Sequence, residues 1–167
     1  HDSLVEVVRH GTNTGVGGAI LTAHQNLTSR GAEILVVMAG DGQMDPEHLH
    51  RLVAPVASGL AEYAKATRFY SAGSWAGMPR VRVVGNAAMT ILMKLASGYW
   101  HIADPQNGYT ALTSETLKSL PMDQLARRYE FENDLLLRLS AIGARVVDVP
   151  IPARYRDETS TLRVAAF

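Results

Sequence analysis

Cysteine is absent from the 167 residues. That excludes a disulfide framework and any thiolate metal site. Charge of one sign is not in excess either: sixteen basic residues balance sixteen acidic ones. A nucleic-acid protein usually shows a basic surplus, so that class of partner is excluded. No apolar run approaches the about 18 residues of a membrane span. No signal peptide, internal repeat or low-complexity linker is visible. The six histidines offer no ligand spacing; His48 and His50 sit two apart, on different faces of a predicted helix. The expectation is a soluble, cytoplasmic domain. What is present fits that: 47% apolar and 19% charged residues suit one globular domain over residues 1–167 with a real core.

Hydrophobic patterning predicts alternating strands and helices. Strands are expected at 4–8, 33–38, 63–67, 109–112 and 145–149. Helices are expected at 16–28, capped by Asn13 or Thr14 and ended by Gly31, and at 46–56. A long helix over 79–97 follows a loop at 69–77. A short helix starts at Ser114, and a last one carries Phe131, Leu135, Leu139 and Ile142 on one face before Gly143. Such alternation means an α/β domain with a mainly parallel sheet.

Residues 34–46 read Ile-Leu-Val-Val-Met-Ala-Gly-Asp-Gly-Gln-Met-Asp-Pro. The apolar half suits a central strand buried on both faces of a parallel sheet. Ligands of such sheets bind beyond the carboxyl ends of the strands. Asp41 and Gln43 therefore stand where a diphosphate and its divalent cation would be held, since hard cations take oxygen ligands and keep phosphate oxygens and waters. Asp45 reads as a helix cap with Pro46 at the first helical position and Glu47 behind it.

Four further clusters each allow two readings. Residues 13–19, Asn-Thr-Gly-Val-Gly-Gly-Ala, are either a structural turn or a backbone cradle for phosphate. Residues 104–110, Asp-Pro-Gln-Asn-Gly-Tyr-Thr, are either bend chemistry or the wall of a polar pocket. In residues 129–134, Glu130 is a first-turn acid or part of a site, and Asp134 can pair with Arg138. Residues 154–160 are a solvated tail, or Arg154 and Arg156 bind phosphate by bidentate hydrogen bonds.

The string Val-Met-Ala-Gly-Asp-Gly-Gln-Met-Asp-Pro resembles the metal-binding region of family 2 glycosyltransferases, in particular the dolichyl- and polyprenyl-phosphate sugar transferases. Their pattern there is Asp-x-Asp-x-Gln. Ala39 takes the first Asp position, Asp41 the second and Gln43 the Gln. The resemblance extends from residue 5 to about residue 162. It implies the GT-A fold, a Rossmann-like, mainly parallel sheet flanked by helices, here without the two opening βα units that carry Pro-x-Tyr-Asn-Glu-like and Asp-Asp-x-Ser-like strings. It implies Mg²⁺ or Mn²⁺ at Asp41 and Gln43, and a nucleotide-sugar donor against Asn13, Gly15, Gly17, Asp41 and Gln106. Asp104 matches an acid lining the sugar and metal pocket. Glu132 matches the acid of a Phe-x-Phe-Glu segment that serves many relatives as general base. Arg154, Arg156 and Ser160 match a segment meeting the diphosphate or acceptor phosphate. Thr110 stands where Arg is common, and Ser160-Thr161 where Ser-Lys is usual.

The activity implied is metal-dependent, inverting transfer of a hexose from a UDP- or GDP-sugar to a polyprenyl (dolichyl or undecaprenyl) phosphate, at the inner face of the membrane. Two rival readings stand beside it: a nucleotidyltransferase that makes sugar nucleotides, and a non-catalytic scaffold of the same fold. Residues 78–100 hold Met89, Ile91, Leu92, Met93, Leu95, Tyr99 and Trp100, more apolar matter than one helix stripe needs. They form a rim toward membrane or lipid acceptor, or else core packing or a dimer contact. With zero net charge, a membrane contact would be local and apolar.

Overall fold

The computed structural model describes residues 5–68 and 80–152. Helix α1 (Gly15–Ser29) leads to strand β1 (Ile34–Val37). A 3₁₀ turn (Pro46–His48) and α2 (Leu49–Ala57) return the chain to β2 (Tyr63–Thr67). Helix α3 (Arg80–Ser97) precedes β3 (Thr110–Thr113) and the short α4 (Ser114–Lys118). A 3₁₀ turn (Met122–Gln124), α5 (Phe131–Ala141) and β4 (Val146–Pro150) complete the order.

The local stop and start signals act as expected. Asp45 accepts the Glu47 N–H through Oδ1 at 3.0 Å, and Pro46 follows it. Gly31 and Gly143 take φ of +85° and +69° after α1 and α5, a conformation glycine reaches without Cβ strain. Thr113 caps α4 by accepting the Thr116 N–H.

The sheet has the order β1-β3-β2-β4. β2 and β4 run parallel, but β3 is antiparallel to both β1 and β2. The sheet is thus mixed rather than mainly parallel, because the chain re-enters through β3 between two strands that precede it. This places β1 at an edge of the described sheet, not at its centre, and only Leu35 of its four residues is buried. Residues 5–8 form no strand; Val5, Val7 and Val8 are exposed. No described strand runs beside them, and an extended segment needs a lateral partner for its N–H and C=O groups. The expected loop at 69–77 lies outside the described residues.

Register sorts the side chains into rungs. Leu35, Leu112, Tyr63 and Val146 align across the sheet. They join Leu21, Leu117, Phe131, Leu135 and Leu139 in the larger core cluster beneath α1, α4 and α5. The other face carries Ala64, Ala66 and Ala111 against Leu52 and Val56 of α2. Small strand residues there let α2 approach closely. Two residues further along, toward the carboxyl ends of β1 and β2, the next rung is Val37, Thr110, Lys65 and Asp148. Three of its four members are polar, and it marks where the core ends and the site begins.

Candidate active site

A cavity of about 160 Å³ opens at this end of the sheet. The segment after β1 supplies Gln43 and Met44, the residue following β2 supplies Arg68, and the segment before β3 supplies Gln106, Asn107 and Gly108. Two contacts hold these loops together. The Tyr109 hydroxyl donates to the Asp45 carbonyl at 3.2 Å. The Lys65 ammonium donates to the Asn107 carbonyl.

Asp104 is 2% exposed. Its carboxylate receives Arg68 Nε at 2.7 Å and Nη2 at 3.0 Å, a bidentate pairing that fixes the guanidinium plane. Asp104 is not part of the cavity lining; Arg68 is. The acid thus orients a cation at the cavity. Thr110, where relatives of the resembled pattern carry Arg, is buried in register beside Lys65. An arginine there would set two buried like charges side by side, which is costly. In this chain Arg68, just after β2, is a cation that lines the cavity, while Lys65 is wholly buried within β2.

Lys65 is wholly buried. Its Nζ lies 3.2 Å from Glu132 Oε2 and 5.9 Å from the centre of the Tyr63 ring. The Tyr63 hydroxyl donates to the same carboxylate oxygen at 3.3 Å. Burial, then the Glu132 charge, push the Tyr63 phenol well above its usual range, so it stays a donor. A Cβ on Gly108 would lie 3.8 Å from Glu132 Oε1. Glu132 therefore stands directly behind the cavity wall, in the first turn of α5. Asp148, on the same rung as Lys65, accepts the Ala103 N–H at 2.6 Å, while its Oδ1 is buried with no partner among the described residues. Desolvation raises its carboxyl to about 6, against the Ala103 hydrogen bond and the Lys65 charge.

Asp41 is exposed, and its Oδ1 accepts the Gln43 N–H at 3.0 Å across Gly42, whose φ is +80°. An exposed carboxylate beside a cavity-lining amide is an oxygen-only donor set, the kind a hard divalent cation takes. Among the described residues no group of three or more His, Asp or Glu side chains gathers, so diphosphate oxygens and waters would complete the shell.

Asn13, Gly15 and Gly17 line no part of the cavity. Their segment packs on residues 126–131 instead. A Cβ on Gly17 would come within 2.7 Å of the Ala126 carbonyl and 2.8 Å of Phe131 Cβ. A Cβ on Gly15 would come within 2.2 Å of the Arg127 carbonyl. The Gly18 N–H donates to Arg127 O at 3.0 Å and the Gly15 N–H to Asn13 Oδ1 at 2.8 Å. Gly15 and Gly17 thus allow close backbone packing on residues 126–131. Arg154, Arg156 and Ser160 lie outside the described residues.

Sequence reasoning missed Lys65, Arg68 and Tyr63. The available signal was a lysine inside a five-residue strand, Tyr-Ala-Lys-Ala-Thr, all of it buried. Buried lysine is rare without a partner.

Comparison with known proteins gives this arrangement its family. The chain is 29% identical over 153 residues to UDP-N-acetylglucosamine–dolichyl-phosphate N-acetylglucosaminyltransferase of Methanococcus voltae, covering 92% of this chain and 61% of that protein. It is 30% identical over 151 residues to undecaprenyl-phosphate mannosyltransferase of Micrococcus luteus, covering 90% and 61%. The chain thus spans about three fifths of the length of these relatives. Among solved structures, glucosyl-3-phosphoglycerate synthase from Mycobacterium tuberculosis in complex with phosphoglyceric acid superposes with a TM-score of 0.62 at 21% identity, over 90% of this chain and 50% of that one. The same synthase in complex with Mn²⁺ and UDP-glucose gives 0.59 at 22%, over 90% and 49%. These likenesses show the GT-A fold. The description of glycosyl transferase family 2 matches residues 1–120, and the chain belongs to that family.

Proposed function

We propose that this chain is the catalytic domain of a polyprenyl-phosphate sugar transferase, moving a hexose from a UDP- or GDP-sugar to a polyprenyl phosphate. The observation that carries the reading is the convergence of Gln43, Arg68 and Gln106 on one cavity at the strand ends, where a sheet of this class binds its ligand. Relatives named for dolichyl-phosphate and undecaprenyl-phosphate acceptors support the choice of acceptor.

An acceptor phosphate oxygen attacks the anomeric carbon. The bond from that carbon to the diphosphate breaks, and the nucleoside diphosphate leaves with the electron pair. Inversion follows from a single displacement. Arg68, held flat by Asp104, would set its positive charge against the diphosphate. Asp41 and Gln43 would hold Mg²⁺ or Mn²⁺, and the bound cation would neutralise charge on the leaving group. Glu132 would border the acceptor's approach; a phosphate acceptor is already ionised, so the carboxylate would act there by fixing position rather than by taking a proton. Arg154, Arg156 and Ser160 serve the acceptor phosphate. The exposed Ile91, Leu92, Leu95 and Trp100 form a rim for the lipid, whose chain stays in the bilayer at the cytoplasmic face.

The test incubates the intact protein with undecaprenyl phosphate and, separately, UDP-glucose, UDP-N-acetylglucosamine and GDP-mannose, with Mn²⁺ or with EDTA. Metal-dependent appearance of a lipid-phosphate sugar by mass spectrometry is expected. Turnover of nucleoside triphosphate and sugar phosphate instead would assign a nucleotidyltransferase. Absence of both binding and transfer with every donor would leave a scaffold.

A further inference from the structure

We infer that Lys65 is a positioning residue that locks the Glu132 carboxylate and the wall formed by residues 106–108 into one unit; this rests on the reading that Glu132 belongs to the transferase site. Four observations, from β2, the segment before β3 and α5, support it. The side chain is wholly buried in the middle of β2. It donates to the Asn107 carbonyl, which belongs to the cavity wall. It lies 3.2 Å from Glu132 Oε2 on α5. Tyr63, two residues earlier on the same strand face, donates to that same oxygen.

A buried ammonium is retained against its desolvation cost only where its partners are well placed, and removing one partner leaves the other charge uncompensated. Lys65 therefore does what a packing residue cannot. It sets the height of the 106–108 segment above the sheet by one hydrogen bond and the direction of Glu132 by another. The two groups are neighbours, since a Cβ on the cavity residue Gly108 would lie 3.8 Å from Glu132 Oε1. The ammonium itself is shielded from the cavity by that wall, so it meets neither donor nor acceptor. It acts through its neighbours.

The test is a cycle in the intact protein: Lys65→Met, Glu132→Gln and the double variant, with Tyr63→Phe as a milder perturbation. Lys65→Met is expected to lower kcat on the order of 100-fold, as misplacement of a reacting group does. KM for UDP-glucose or GDP-mannose should move less than threefold, roughly the smallest change such kinetics resolve as a binding loss. In the Glu132→Gln background the same lysine change should cost under about threefold in kcat, because the group it orients is gone. Melting temperature should fall in Lys65→Met and fall less in the double variant, where the Glu132 charge is no longer left unpaired. Multiplying kcat losses in the double variant would overturn the inference and return Lys65 to a purely structural role. If Lys65→Met does not fold, Tyr63→Phe with and without Glu132→Gln gives the same comparison. Failure of the transferase reading is seen separately, as a parent protein that transfers nothing. Amide exchange at residues 106–108 then still decides the lysine: faster exchange in Lys65→Met sustains the lock, and unchanged exchange refutes it.

Discussion

Asp41 is an exposed carboxylate with one oxygen already turned to its own loop. Replacing it by Asn keeps that hydrogen bond and removes the charge. Asp41→Asn should therefore melt like the parent without ligand, yet lose the stabilisation by Mn²⁺ with UDP-glucose or GDP-mannose. For the parent that stabilisation is about 2.7 kcal/mol at a donor concentration 100-fold above Kd. A thermal-shift series with and without EDTA checks it, and equal shifts in both proteins would remove Asp41 from the metal. His24 offers a second single-residue test. It is 4% exposed, with neither ring nitrogen partnered among the described residues, and burial lowers its pKa to about 4. An unfolded histidine titrates near 6.5, so below that pH the unfolded chain binds the extra proton. Stability is then lost as pH falls from 6.5 toward 4, by about 3 kcal/mol in all. Asp148, raised to about 6, acts oppositely: its contribution is present below 3.8 and lost as pH rises through 6. Comparing urea melts of His24→Leu and the parent isolates the histidine, and the gap between them should widen in favour of the variant as pH drops. Gln43, which lines the cavity, was legible as a strand-end residue because a long apolar run leads into its segment. Lys65 was not, since its carboxylate partner lies 67 residues away and nothing local announces the pair.

Among the elements, the start of α1 carries a packing contact that its own sequence does not announce. The helix, its position after residues 13–14 and its glycine stop were all readable from capping chemistry. That Gly15 and Gly17 meet residues 126–131 was not, because that surface comes from a distant part of the chain; a Cβ on Gly18 would meet Thr14 first. Gly17→Ala forces a methyl group into the Ala126 carbonyl and Phe131. A stability loss of about 1–3 kcal/mol is expected, typical of overpacking. Donor affinity of the folded fraction should be unchanged, which separates packing from a phosphate cradle; denaturant midpoints and nucleotide-sugar titration measure the two. Helix α3 divides its apolar surplus. Met93 is buried, and Met89 and Tyr99 pack on the core, with the Tyr99 hydroxyl donating to the Ala144 carbonyl at 2.7 Å. Ile91, Leu92, Leu95 and Trp100 are each more than half exposed. Periodicity alone could show the excess but not its division, which depends on where α5 packs. Ile91→Asp should reduce co-sedimentation with vesicles carrying undecaprenyl phosphate and leave the melting temperature within about 1 °C, since exposed substitutions are usually near neutral. Equal pelleting of variant and parent would remove α3 from the lipid rim.

For the molecule as a whole, the class was legible and the wiring was not. Alternating strand and helix signals announce an α/β sheet. The antiparallel entry of β3 between β1 and β2 leaves no mark in the strand's own four residues, which would read alike in either direction. Among the described residues no helix is long and apolar enough to cross a membrane. The strand order also has a consequence in time. β2 pairs with β3, 49 residues on at Tyr63–Leu112 and 45 at Lys65–Thr110, and with β4, further still. Ion pairing of Glu62 with Arg145 ties the same strand to the last described turn. A chain growing from its N-terminus on the ribosome can form α1 and α2 early, but β2 has neither neighbour until β3 and then β4 have emerged. The cavity shares that schedule, for its lining runs from Gln43 to Pro152. Nascent chains arrested before β4 clears the exit tunnel should thus be sensitive to protease and blind to nucleotide sugar, and both properties should switch together, late and over a short span of synthesis.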